Sequence, residues 1–135
     1  MGSSEIVTEL RLVVTVPDYA EALSFYRDVL GLKEKASYSA VGGRVTILEA
    51  GRATLEINDS AYAAYIDEVE VGSRVAGHIR VAFEVGDPTA VTARLVDAGA
   101  GLIAEPVRTP WGALNSRLDG PGGLQLTLFS AGSDE

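Results

Sequence analysis

The chain has 135 residues, 47% of them hydrophobic, and a net charge of −8; that length and apolar content fit one folded domain and exclude a disordered chain. Eleven Lys and Arg are scattered among nineteen Asp and Glu, which argues against a nucleic-acid or anionic-membrane partner, since a phosphate backbone calls for clustered cations. With no cysteine present, disulfides, thiolate nucleophiles and sulfur-ligated zinc are excluded.

The opening MGSSEIVTEL lacks the basic flank and apolar stretch of an export signal, and no run approaches a membrane span, so a cytoplasmic location is expected. MGSS and the tail SAGSDE read as frayed ends. In the run RLVVTVPD at 11–18, Leu12, Val14 and Val16 alternate with Arg11, Val13 and Thr15, the pattern of a strand with one apolar face. Asp18 then stands as an N-cap with Glu21 three residues on, and Ala22, Leu23, Tyr26 and Leu30 follow at helical spacing until Gly31, predicting a helix near 19–30. Short β-like runs occupy 33–41, 44–50 and 52–58. Segment 59–71 reads as a short amphipathic helix capped by Ser60.

The run RVAFEVGD at 80–87 then repeats the first strand and its cap. Val81, Phe83 and Val85 alternate with Arg80, Ala82 and Glu84, Asp87 caps, Pro88 takes the first helical position, and Val91, Leu95 and Ala98 lead to Gly99, predicting a helix near 88–98. Runs at 101–108, 113–118 and 123–129 complete the set. The tally is βαβββ twice: modules at about 8–58 and 77–129, joined by 59–76, within a single domain 1–135. A period of about seventy residues is too long for a solenoid and indicates two fused copies of one module.

The stretches VPDYAEALSFYRDVLGLK at 16–33, TPWG at 109–112 and DGPGGLQLTLF at 119–129 are similar to the glyoxalase/bleomycin-resistance/dioxygenase group, the vicinal oxygen chelate superfamily. The resemblance covers roughly residues 8 to 129 by pattern. It implies an α+β fold in which two fused βαβββ modules form a cupped mixed sheet with a concave cavity, commonly in a homodimer. In metal-using members the first and last strands of each module supply the ligands. Carried over by position, these sites fall on Arg11 and Arg80, on Glu56, and on Thr127 or, with a slipped turn, Gln125. Only Glu56 keeps ligand chemistry. A guanidinium cannot be deprotonated in a protein and repels a divalent cation, so neither metal nor cofactor is expected.

Period-two alternation sends Leu12, Leu55, Val81 and Leu126 toward the helices and Arg11, Thr15, Glu56, Arg80, Glu84, Gln125 and Thr127 toward the cavity. Two arginines and two glutamates on that face call for pairing, which serves either to join the modules or to contact a ligand. His78, the only histidine, is either a displaced ligand or base near Glu56, or an exposed residue at a strand entry. Trp111, on the loop that the resemblance puts at the cavity mouth, offers a face for an aromatic ligand; Tyr62 and Tyr65 offer the same, or pack their helix on the sheet. Two functional classes follow. One is a metal-free binding protein that sequesters a drug or aromatic metabolite, the arginines favouring a carboxylate or phenolate although the acidic surface attracts cations. The other is an enzyme of the same superfamily: a metal-dependent lyase, isomerase or dioxygenase, or a metal-free catalyst with Glu56 or Glu84 as base. No serine lies in an elbow motif, which argues against a nucleophilic hydrolase.

Overall fold

Three aspartates start the three helices. The computed structural model describes residues 11, 12, 14–53, 56 and 59–131. Asp18 accepts from the Glu21 N–H at 3.0 Å and opens α1 (Tyr19–Leu23), which continues over Ser24–Val29 as a π-helical stretch closed by the Leu30 N–H on the Phe25 carbonyl at 2.9 Å. Asp59, not Ser60, caps α2 (Ser60–Glu70), its carboxylate accepting from Tyr62 N–H at 2.9 Å. A carboxylate at this position also meets the positive end of the helix dipole, which a hydroxyl cannot do. Asp87 caps α3 (Pro88–Asp97) through Ala90 N–H, with Pro88 at the first helical turn. Gly31 and Gly99 end the two outer helices at φ 92° and 108°, a conformation that costs glycine nothing.

The second module is complete. β3 (Arg80–Glu84), β4 (Gly101–Arg108), β5 (Leu114–Gly120) and β6 (Leu124–Phe129) form a four-stranded sheet in the order β3-β6-β5-β4, with β3 parallel to β6 and the other neighbours antiparallel. α3, lying between β3 and β4 in sequence, covers one face. There Leu118, Leu126 and Leu128 are fully buried with Leu95, and Phe25 of α1 enters the same core. Burying each such side chain stabilises the fold by about 1.5–3 kcal/mol. Polar groups in this layer are paired with each other, the Thr92 and Ser116 hydroxyls bonding at 2.7 Å.

The first module is seen in part. β1 (Lys33–Ala40) and β2 (Gly43–Glu49) pair as an antiparallel hairpin, separate from the larger sheet. Its two-residue turn has both central residues at positive φ, Val41 at 47° and Gly42 at 82°, as the twist of a tight hairpin requires. The third run, 52–58, falls largely outside the described residues, as do Val13, Leu55, MGSS and residues 132–135 of the tail; Ser130, expected to fray with that tail, instead bonds to Leu114 through its N–H and hydroxyl. Leu12, expected to face the helices, is 50% exposed, and the described residues of 11–17 carry no strand assignment. Val14 and Val16 approach Gly122 of the β5–β6 turn, so closely that a Cβ built there would lie 2.7 Å from Val16 Cγ1.

Candidate functional site

The face of the four-stranded sheet opposite α3 carries the polar residues, because alternation that sends Leu118, Leu126 and Leu128 inward sends Arg117, Gln125 and Thr127 the other way. α2 lies across part of that face and turns carboxylates toward it. Its buried residues are Ile66, Asp67 and Glu70. Arg117, with no solvent exposure, donates from Nε and Nη2 to Glu70 Oε1 at 3.0 and 2.7 Å, and from Nη1 to Asp67 Oδ1 at 2.8 Å and Gln125 Oε1 at 2.7 Å. Asp67 also accepts at its other oxygen from Arg74 and from the Val75 and Ala76 N–H groups, each at 2.9 Å. Burial alone would raise the Asp67 pKa; the Ala76 N–H, Arg117, the Val75 N–H and Arg74 together hold it well below the usual carboxylate range.

Arg80 stands at the edge of this network. Its backbone pairs with Gln125, but its guanidinium reaches along the strand to donate from Nη1 to Thr127 Oγ1 at 2.6 Å. The Thr127 hydroxyl donates onward to Glu70 Oε1 at 3.3 Å. Pairing of Arg80 with Glu56 or Glu84 was expected; instead the hydroxyl is its hydrogen-bond partner, and no carboxylate among the described residues forms an ion pair with it. Burial pushes its pKa down, nearby Arg117 adds to that, and Glu70, Glu56 and Asp67 offset part of it. An arginine stays charged through such a shift. The result is a half-buried cation with donors to spare.

Of the residues singled out in the sequence, the structure brings Arg80, Gln125 and Thr127 together, with Glu56, itself exposed, close enough to act on Arg80 electrostatically. Glu84 is exposed at the far end of β3, beside Phe129. Arg11 and Thr15 are exposed in the segment before α1. Half-buried Trp111 lies in the loop between β4 and β5, its ring 6.4 Å from that of Tyr65, which is 5.9 Å from Tyr62. Both tyrosines are about half exposed, and Tyr65 joins α2 to the β4–β5 loop through Trp111. Exposed His78 lines a polar cleft of ≈290 Å³ with Asp59, Ser60 and Arg74.

Sequence reasoning missed Asp67, Glu70, Asn115 and Arg117. A signal was present: Asn115 and Arg117 alternate with Ser116 and Leu118, and Asp67 and Glu70 share a helix face at i, i+3.

The donor set does not fit a divalent cation. Arg80 and Thr127, put forward by the resemblance as ligand positions, are bonded to each other, Arg117 adds a second cation nearby, and among the described residues no three His, Cys, Asp or Glu gather to hold a metal.

Among solved structures the chain is similar to TnmS3, an antibiotic binding protein from Streptomyces sp. CB03234, at 23% identity over 93% of this chain and 98% of that one, with a TM-score of 0.61. It is also similar to TioX from Micromonospora sp. ML1 (17%, 95% and 99%, TM-score 0.59) and to a glyoxalase-related enzyme from Fulvimarina pelagi (18%, 95% and 95%, TM-score 0.56). At these identities the likeness concerns the fold. No curated protein sequence matches the chain. The family model for the Glyoxalase/Bleomycin resistance protein/Dioxygenase superfamily matches residues 10–128, and with that match, on a βαβββ module of the expected strand order, the chain belongs to this superfamily.

Proposed function

We propose that the protein is a metal-free small-molecule-binding member of its superfamily, which sequesters an aromatic carboxylate or phenolate on the polar face of the sheet. The observation that carries this is Arg80: a half-buried guanidinium held by one hydroxyl, with no ion-pair partner among the described residues. Nearby carboxylates offset only part of its desolvation, and an anionic ligand taking two of its donors offsets more of that cost. The row Tyr62–Tyr65–Trp111 supplies flat faces for the rest of such a ligand. TnmS3, described as an antibiotic binding protein, sets a precedent for binding on this fold. The catalytic alternative gains no comparable support, since the expected bases Glu56 and Glu84 are both exposed and outside the hydrogen-bonded network.

The binding species in this reading is a cytosolic homodimer of one-domain chains. The β1–β2 hairpin supports it: it leaves Tyr38 62% exposed and Val45 48% exposed. A second copy would cover those residues and help close the cavity. Sedimentation velocity decides the dimer, a single monomeric species at micromolar concentration being the contrary result.

The test of function is a thermal-shift screen with aromatic carboxylates and phenolates, repeated on Arg80→Met. A ligand at a hundred times its Kd stabilises by about 2.7 kcal/mol. Unchanged stability with lost binding in Arg80→Met supports the ligand role; lost stability makes Arg80 structural. A stoichiometric transition metal in protein purified without chelator, lost on Glu56→Ala, would replace this reading with the metal-dependent one.

A further inference from the structure

Glu70 is held as a bound carboxylic acid would be. One of its oxygens accepts from Arg117 Nε and Nη2 and from the Thr127 hydroxyl, and the other from Asn115 Nδ2 at 2.7 Å. Four donors from β5 and β6 thus converge on a single carboxylate that belongs to a helix outside the sheet. The pocket is also unfinished. Asn115 Oδ1 is buried with no hydrogen-bond partner, and the amide cannot be turned over, because its nitrogen must face Glu70. Arg80, one hydroxyl away, adds a second cation, bonded among the described residues to Thr127.

We propose that Arg117, Asn115 and Thr127 form a carboxylate site in which Glu70 is an internal stand-in, and that an aromatic 2-hydroxy acid displaces the Glu70 side chain and loosens the last turn of α2. The inference rests on the reading of this face as the ligand site. The exchange is feasible because it swaps one carboxylate for another: Arg117 keeps an anionic partner throughout, and the released Glu70 regains water. Asp67 stays bound to Arg117 and to the Val75 and Ala76 N–H groups, which keep α2 tethered while the Glu70 side chain departs. A hydroxyl beside the incoming acid donates to Asn115 Oδ1, which Glu70 leaves unsatisfied. The aromatic part is met by Trp111, four residues before Asn115, and by Tyr65 on α2 itself.

Racemic mandelate is the probe and phenylacetate, which lacks the hydroxyl, its control. Calorimetric titration of the wild type, Glu70→Gln and Arg80→Met is combined with hydrogen exchange over residues 60–70. Removing an internal competitor restores the affinity that the closed population withholds, so Glu70→Gln binds mandelate at least about 10-fold more tightly than the wild type. Mandelate speeds exchange of α2 in the wild type, and phenylacetate binds about 10-fold more weakly than mandelate. Where Glu70→Gln lacks a cooperative melt, Glu70→Asp, which keeps the charge but shortens the reach, serves instead. Equal mandelate affinity in wild type and Glu70 variant with unchanged α2 exchange overturns the stand-in role, while loss of binding in Arg80→Met leaves the proposed function standing. Failure of mandelate to bind any of these proteins overturns the 2-hydroxy-acid site, and a hit elsewhere in the carboxylate and phenolate screen then keeps the broader reading separate.

Discussion

Arg80 Nη1 donates to Thr127 Oγ1 at 2.6 Å, joining two residues that the family resemblance put forward as ligand positions of the second module. The contact crosses from β3 to β6 and runs two residues along the strand from Arg80's backbone partner Gln125. Of the two last-strand candidates, Thr127 meets Arg80 and Gln125 meets Arg117. A cation and a hydroxyl now occupy ground that a metal and its ligands would need.

Arg117 is the residue whose loss the fold tolerates least. Arg117→Met leaves Glu70 buried without its cation and Asp67 with Arg74 and two backbone N–H groups alone, a loss of about 3–5 kcal/mol. Urea denaturation measures the loss. Replacing all three residues by apolar ones of similar volume recovers most of it, since a well-packed apolar cluster carries no desolvation penalty.

Asp67 makes stability acid-sensitive. Its folded pKa lies below the unfolded value of about 3.9, so the unfolded chain binds the proton first, and stability rises with pH in that range. The contribution is complete above about pH 4 and is lost as pH falls through the folded value. Chemical denaturation between pH 2 and 5 should show this acid limb, flattened in Asp67→Asn.

Tyr26 carries the opposite sign at alkaline pH. Its hydroxyl donates to the Pro121 carbonyl at 2.9 Å, and burial pushes its pKa up to about 12. Stability from this group is full below the unfolded value of about 10 and is lost as pH rises through the folded one. Absorbance titration should show one tyrosine ionising late, absent in Tyr26→Phe, which also loses about 1 kcal/mol at neutral pH.

Gly120 is required by the same contact. A Cβ at that position would lie 2.6 Å from Tyr26 Oη and 3.1 Å from Leu126 Cδ1. Gly120→Ala should cost about 1–3 kcal/mol by overpacking, and the cost should shrink in a Tyr26→Phe background, as a double-mutant cycle will show.

Val41 is a strained residue in an exposed turn, a β-branched side chain at φ 47°. Val41→Asn keeps the hairpin geometry in a residue that tolerates it, and should slow hydrogen exchange in β1 and β2 with a gain of about 1 kcal/mol. No gain in hairpin protection would mean that the turn carries little of the hairpin's stability.

By itself the sequence determined what short-range physics decides. Asp18 and Asp87 cap because a carboxylate two or three residues from free N–H groups finds them whatever the rest of the chain does. Gly31 and Gly99 stop helices for reasons equally local, and period-two alternation sorted Val81 and Leu126 from Arg80 and Thr127 before any partner was known. The tertiary structure alone decided which charges meet. Asp67 and Glu70 read as the solvated side of an amphipathic helix until α2 lies on the sheet and Arg117, about fifty positions away, receives them. Short-range periodicity shows that a face is polar but not what will cover it, because the cost of burying a charge and the partner that offsets it reside in different segments of the chain.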